Sequence, residues 1–245
     1  MEWTVLLIGI AIVLFGATLQ GTIGFGLALT AVPLLSIMAS PKLVVPALMI
    51  LGTLSSLYLT YRARRSIDLK MVWPLVAGGV AGIPIGTYLL LSLDEDTLRL
   101  FVGVVVAVFA VLLLAGVHRK VRAERRASAL IGLASGVLNG SISISGPPIV
   151  LFFANQRIPR DVFRGTMVAY FTIVNVAAII VFSATGLVNA TTLRDVGVLL
   201  PAVLAGVALG QALSTRVPER AFRTIALVMV ACGGVVASLS GAGVV

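Results

Sequence analysis

Two polar, glycine-rich stretches interrupt long apolar segments of this chain. Residues 21–26 read Gly-Thr-Ile-Gly-Phe-Gly, and residues 140–148 read Gly-Ser-Ile-Ser-Ile-Ser-Gly-Pro-Pro. Pro147 and Pro148 cannot continue a preceding helix but suit the first turn of a new one, so each stretch predicts helix, break, helix. A helix that begins inside a bilayer directs unpaired N–H groups and a partial positive charge at whatever precedes it. Each break is therefore a candidate anion site without an ionised side chain, and we expect the second to be the stronger.

Hydroxyl and amide side chains near the breaks are candidate ligands for such a solute. Ser141, Ser143 and Ser145 alternate with isoleucine, so in an extended chain they would share one face and present three hydroxyl donors. Asn175 falls in the middle of an apolar segment, where it is either a contact between helices or a ligand in a pore. The alternative for the glycines and serines is that they only allow close packing. The residues predicted to bind the solute are Gln20, Thr22, Gly24, Phe25, Gly26, Asn139, Ser141, Ser143, Ser145, Gly146, Pro147 and Asn175.

Other chemistry is excluded by the residue types that the sequence lacks. With one cysteine (Cys232) and one histidine (His118), the chain can form neither a Cys/His metal cluster nor a Cys–His nucleophile pair. No charged residue falls in the middle of an apolar segment, which disfavours a cation transporter or a proton pump, because these usually carry a buried carboxylate. We therefore expect no enzyme, no metal and no cofactor, and an anionic or neutral solute.

The composition identifies the class of protein that positions these breaks. Apolar residues make up 59% of the 245 residues and charged residues 11%, too few to cover a water-facing surface. The net charge of +9 comes from cations clustered between apolar segments, which is the pattern of a membrane surface and not of a nucleic-acid interface. The sequence thus predicts an all-α polytopic membrane protein with several spans.

Six apolar runs have the length of a membrane span, about 20 residues. The positive-inside rule places four cation-rich segments, 62–70, 117–126, 157–164 and 215–223, in the cytoplasm. Two cytoplasmic segments must be separated by an even number of membrane crossings, so the interrupted stretch 128–156 is predicted to enter and leave on the cytoplasmic side as a re-entrant hairpin. The same count predicts a re-entrant hairpin for the interrupted stretch 3–38. The alternative is that each is one kinked span, which gives eight simple spans. The six predicted spans are 43–61, 71–91, 98–116, 162–182, 195–214 and 221–241.

The two halves of the chain resemble each other. Residues 19–23 match residues 138–142, and the pair Gly82 and Gly86 matches Gly206 and Gly210. This divides the chain into a first repeat (1–117), a cytoplasmic basic linker (118–126) and a second repeat (127–245). The crossing count places the start of the first repeat on the outer side of the membrane and the start of the second on the cytoplasmic side. We therefore expect the repeats to be inverted, each with a broken hairpin and three spans. Glycines at four-residue intervals are expected to let helices pack closely, and whether they also serve a homodimer is left open.

On these motifs, the sequence resembles the sulfite exporter TauE/SafE family of membrane transporters over nearly its whole length. The resemblance is carried by residues 21–26 followed by Pro33-Leu34, and by Gly140 followed by residues 145–148. It implies export or exchange of small sulfur-containing anions such as sulfite and sulfonates. Family members often carry more glycines where this chain has Leu27 and Ala28, and where it has Ser143 and Ser145, so the size of the pocket differs.

Breaks, repeats and resemblance together predict a multi-pass secondary transporter of the cell inner membrane. A small anion would bind near the bilayer midplane between the two breaks, and one repeat would move against the other to give alternating access. The expected partners are this solute and membrane lipids, with no nucleic acid. Three alternatives remain open: an anion channel, a transporter of another small anionic or neutral solute, and a structural or assembly subunit.

Overall fold

A computed structural model describes residues 3–114, 124–154 and 159–214, and within them the chain is helical, with no strand. This confirms the predicted fold class. The 3-10 turn Arg64–Ser66 follows the third helix. The helices of the described residues are α1 (Trp3–Ile23), α2 (Leu27–Met38), α3 (Pro41–Ala63), α4 (Leu69–Ser92), α5 (Glu95–Leu114), α6 (Glu124–Ile142), α7 (Gly146–Ala154), α8 (Arg160–Ala184) and α9 (Ala190–Leu213).

Five helical segments of the described part are long and apolar enough to cross a membrane. A helix of 24 residues is about 36 Å long, which exceeds the roughly 30 Å of a hydrocarbon core. Four predicted spans fall on these segments, while predicted span 98–116 falls mainly on α5, which is not among them. Predicted span 221–241 and residues 118–123 of linker 118–126 lie outside the described residues, while 124–126 begin α6. The five segments are Val5–Ile23, Pro41–Ser66, Leu69–Ser92, Asp161–Ala184 and Ala190–Leu213.

Both predicted breaks are present, three residues long, between α1 and α2 and between α6 and α7. Gly24 at φ +93° and Ser143 at φ +57° end the first helix of each pair in the left-handed region, which glycine adopts at least cost. Their N–H groups close the last turn on Gln20 O at 2.8 Å and on Asn139 O at 2.9 Å. Pro147 lies in the first turn of α7, as its fixed φ favours.

The broken stretches are hairpins, as predicted, and not kinked single helices. In the first, a Cβ added at Gly16 would lie 3.0 Å from Leu27 O, and one added at Gly9 would lie 3.7 Å from Leu35 Cδ2. Later residues of α2 thus lie beside earlier residues of α1. In the second, Ser135 Oγ donates to Ser145 O at 2.6 Å, which brings the start of α7 back along α6.

Two glycine seams hold the described helices together, α4 against α6 and α1 against α9. At these seams the backbones approach so closely that no side chain fits, which is the packing role expected of the glycines. A Cβ at Gly140 would lie 2.5 Å from Ile83 O, and one at Gly21 would lie 2.6 Å from Val207 O.

Equivalent residues of the two halves make equivalent seam contacts. Gly82 faces Leu133 O in one seam and Gly206 faces Leu14 O in the other, in the register that the sequence match sets. Each half therefore packs its fourth described helix against the first helix of the other half. Such an exchange is what a two-fold axis between repeats produces, while the inverted arrangement relative to a membrane stays a prediction.

Candidate functional site

The two breaks meet at a cavity of about 50 Å³, which also borders α1, α3 and α8. They touch directly, because a Cβ added at Gly146 would lie 3.3 Å from Phe25 Cδ2. The cavity has room for a few water-sized groups. The predicted site residues that line it are Gln20, Phe25, Gly26, Ser143, Ser145, Gly146, Pro147 and Asn175.

In the first half, the buried amide of Gln20 is held by two serines of α3. Its Nε2 donates to Ser56 Oγ at 3.1 Å, and its Oε1 accepts from Ser55 Oγ at 3.0 Å. Ser56 lines the cavity but is absent from the predicted site residues. The signal that could have found it was its alignment with Asn175 in the internal repeat.

In the second half, the matching pair is Asn139 and Asn175. Asn139 Nδ2 donates to Asn175 Oδ1 at 3.0 Å, and the two side chains are 1% and 8% exposed. Within the described residues, Asn175 Nδ2 makes no hydrogen bond, although Asn175 lines the cavity. An N–H donor at the wall of a cavity that has no protein partner can donate to a bound acceptor.

Backbone donors come mainly from α2. Gly26 gives its first turn no side-chain cap, and the residues that carry the first-turn N–H groups, Gly26, Leu27, Ala28 and Leu29, all line the cavity. Within the described part of the chain these four N–H groups make no hydrogen bond. The first turn of α7 offers fewer donors, because its two prolines have no N–H. The start of α2 therefore presents more unused backbone N–H groups to the cavity than the start of α7, and the expectation that the second break is the stronger anion site stays a prediction.

Four predicted site residues do not line the cavity: Thr22, Gly24, Asn139 and Ser141. Thr22 Oγ1 lies 2.8 Å from Thr18 O and 3.0 Å from Gly210 O, and Ser141 Oγ donates to Val137 O at 2.8 Å. Short hydroxyl side chains on helices commonly bond to the backbone in this way. In the structure the protons of these two hydroxyls are thus used by backbone carbonyls, and Ser141 lies in helix α6 and not in the extended chain that the serine alternation assumed.

The two cavity serines of the second break differ in availability. Ser143 Oγ donates to Val45 O at 3.0 Å, so its proton is already used. Within the described residues, no hydrogen bond involves Ser145 Oγ. The backbone of Ser145 is fixed from behind, where Ser135 Oγ donates to its carbonyl and Tyr170 Oη donates to Ser135 Oγ at 3.0 Å.

The cavity presents dipoles and no fixed charge. Among the described residues that line it, none is Asp, Glu, Lys, Arg or His. Its available donors among the described residues are amide N–H groups of α2, the Asn175 amide and the hydroxyls of Ser145 and Ser56, and Phe171 and Leu48 add apolar wall. This arrangement can bind a small acceptor-rich anion or a neutral polar molecule.

Comparison with known proteins identifies the family. The model of the sulfite exporter TauE/SafE family matches residues 8–237. No curated protein and no solved structure matches the chain. Because the match covers nearly the whole sequence, the chain belongs to the sulfite exporter TauE/SafE family, and with its five apolar helices it is a multi-pass integral membrane transporter.

Proposed function

We propose that this TauE/SafE family transporter carries sulfite or a short organosulfonate across the cell inner membrane, through the cavity between its two breaks. The observation that carries the proposal is the meeting at one cavity of an uncapped helix start (α2) and the Asn175 amide, whose Nδ2 makes no hydrogen bond within the described residues. The family supplies the class of solute, and the neutral lining of the cavity supports an anion over a metal cation.

Binding by neutral hydrogen-bond donors suits a transported solute, because the solute must also be released. N–H and O–H donors replace part of the water shell of the anion, and the helix start adds a partial positive charge of about half a unit. A fixed cation at the same place would hold the anion more strongly and slow its release. The apolar wall near Phe171 would accommodate the short carbon chain of an organosulfonate.

Alternating access follows from two repeats of opposite orientation. Contacts between the third helices of the two halves support inversion: Gly52 faces Asn175, Thr60 Oγ1 lies 2.9 Å from Thr172 Oγ1, and a Cβ at Gly165 would meet Ser66 O at 2.9 Å. Along this series of contacts the residue number rises in α3 and falls in α8, so these equivalent helices are antiparallel. A two-fold axis that relates them runs across the helices, as in inverted transporter repeats.

The seams indicate which parts move. Movement of one whole repeat against the other, as expected from sequence, would separate α4 from α6 and α1 from α9, whose backbones are in direct contact at glycines. We infer instead that one moving unit is α1, α2 and α9, and the other is α4, α6 and α7. Each unit carries one break, so motion between them would open and close the cavity on alternate sides.

The driving force can be the membrane potential. With the inside negative, expelling an anion is downhill by about 2.3 kcal/mol per charge for each 100 mV. Export then needs no coupled ion. An anion channel would use the same gradient, and a flux that fails to saturate with substrate concentration would identify it.

Uptake of labelled sulfite, sulfate and ethanesulfonate into proteoliposomes tests the proposal. The wild type should carry sulfite or the sulfonate with saturation, and Gly146→Leu should abolish uptake because the new side chain would meet Phe25. Ser141→Ala is the matched control, since its hydroxyl donates only to its own helix. Equal uptake by wild type and Gly146→Leu would refute the assignment of the site.

A further inference from the structure

A second and larger cavity, of about 340 Å³, lies at the end of the helix bundle where α3, the 3-10 turn, α8 and α9 meet. This end carries residues 62–70 and the described part, 159–164, of the second cation-rich segment, both of which the charge rule places in the cytoplasm. At roughly 30 Å³ of liquid per water, the cavity holds an anion together with part of its water shell. Its polar lining consists of Arg62, Ser66, Asp161, Arg164, Gln211 and Ser214.

The charge of this cavity favours anions. Among the described residues that line it, two carry a guanidinium group, Arg62 and Arg164, and one carries a carboxylate, Asp161. Guanidinium groups present planar pairs of N–H donors that match the oxygen atoms of oxyanions. The hydroxyls and the amide of the lining can donate to the same solute. A concave wall with an excess of positive charge raises the local concentration of anions.

Arg164 also connects this cavity to the central one. Its guanidinium donates to Gly21 O in the last turn of α1. Its side chain packs on the first break, because a Cβ added at Gly24 would lie 3.1 Å from Arg164 Cγ and 3.5 Å from Val168 Cγ1. The next two residues of that break, Phe25 and Gly26, line the central cavity. The first break therefore lies between the two cavities.

We propose that the second cavity is an anion-binding vestibule, in which a small oxyanion binds at Arg62 and Arg164 before it passes the first break into the central cavity. This proposal rests on the proposed function for the direction of use, but the affinity of the vestibule for anions does not depend on transport. The vestibule differs chemically from the central site, since it attracts by fixed charge, whereas the central site binds by neutral donors.

The first test measures the electrostatic potential of the vestibule without transport. In the full chain with Cys232→Ser, Gln211→Cys is labelled with 2-sulfonatoethyl methanethiosulfonate, which is anionic, and with its cationic trimethylammonium analogue. We expect the ratio of the anionic to the cationic rate, relative to a free thiol, to be raised about three-fold or more. Arg62→Gln should lower that ratio, and salt of about 0.5 M should remove most of the difference.

Arg65→Gln is the matched control. It removes the same charge from the same end of the molecule, but Arg65 is not part of the described lining of the vestibule. A ratio equal to that of a free thiol, or an equal decrease in the Arg62 and Arg65 variants, would show that the vestibule has no anion preference of its own and would overturn the proposal.

The second test separates this inference from the proposed function. In proteoliposomes at low ionic strength, Arg62→Gln should raise the KM for sulfite presented from the vestibule side about three-fold and leave the maximal rate unchanged. Sulfite transport with an unchanged KM would refute the vestibule alone. A raised labelling ratio without any flux of sulfite, sulfate or ethanesulfonate would refute the transport proposal and leave the anion preference standing.

Discussion

The two breaks have the same backbone course but different side chains, and their neighbours explain why. Gly24 and Ser143 occupy matching positions, both with positive φ, and both close the preceding helix with a similar hydrogen bond. Behind Gly24 lies the Arg164 side chain, whose Cγ would lie only 3.1 Å from an added Cβ. Behind Ser143 lies the carbonyl of Val45, which accepts the serine hydroxyl. The same strained conformation is thus occupied by glycine where space is absent and by serine where a partner is present.

The two breaks also supply different kinds of hydrogen-bond donor to the central cavity. The first break gives backbone N–H groups, since α2 begins without a cap or an early proline. The second break, which has two prolines at the start of α7, gives side-chain donors from Ser145 and from nearby Asn175. The matching carbonyls are satisfied differently as well: Gly26 O accepts from Thr30 Oγ1 at 2.8 Å within α2, and Ser145 O accepts from Ser135 of α6.

The largest difference between the breaks should appear when the residues at positive φ are changed. Gly24→Val places a β-branched side chain at φ +93° against Arg164 and should cost on the order of 3 kcal/mol of stability, or about 6–12 °C in the melting temperature. Ser143→Gly loses the hydrogen bond to Val45 but relieves strain, so its melting temperature should stay within about 3 °C of the wild type. Thermal unfolding in detergent measures both, and equal shifts would contradict the comparison.

The amide pair of the second half should matter more for transport than the amide–hydroxyl pair of the first. Asn175→Ala removes the unused cavity donor and also leaves the Asn139 amide without its acceptor, so it should reduce kcat/KM for sulfite about ten-fold or more. Ser56→Ala is the matched control in the first half, because Gln20 keeps its bond from Ser55. Its effect should stay below about three-fold. Initial rates in proteoliposomes measure both variants, and a stronger effect of Ser56→Ala would reverse the assignment.

The sequence alone predicts the two breaks and the internal repeat, but it does not predict the directions in which the side chains near the breaks point. Proline chemistry and glycine spacing place each break correctly, because these residues act on their own local backbone. The hydroxyls of Thr22 and Ser141 were expected to face the solute, but in the structure they bond to backbone carbonyls, because the last turn of each first helix continues through them and offers them these acceptors. Whether such a hydroxyl bonds to its own helix or faces the cavity depends on the residue at which the helix ends, to within two positions. Composition does not determine that residue.

The arginine that packs on the first break could not be predicted either. Arg164 looked like one cation of a cytoplasmic cluster, and its contact with Gly21 and Gly24 joins residues far apart in the sequence. Ser56, in contrast, was within reach of sequence analysis, because the repeat aligns it with Asn175. A repeat alignment of polar positions is therefore a better guide to this cavity than the alternation of serines along one segment.

A smaller effect should distinguish the two cavity serines. Ser145→Ala removes a hydroxyl that has no partner among the described residues and should raise the KM for sulfite about three- to five-fold. Ser143→Ala removes a hydroxyl that already donates to Val45, so we expect the KM to change by less than about two-fold, while the melting temperature falls by a few degrees. Concentration series in proteoliposomes, read beside thermal unfolding, separate the two roles. A larger KM change for Ser143→Ala would mean that its hydroxyl turns toward the solute.

The smallest effect concerns the support of the second break, which has no counterpart in the first. Tyr170→Phe removes the hydrogen bond to Ser135 but leaves Ser135 donating to Ser145 O, so the loss of stability should be about 1 kcal/mol or less. Ser135→Ala removes both bonds and leaves the Ser145 carbonyl without its side-chain donor, so its melting temperature should fall further. If support from behind fixes the break, Ser135→Ala should also raise the KM for sulfite, while Tyr170→Phe changes only stability. An equal KM in all three proteins would show that the second break holds its shape without the hydrogen bond from Ser135.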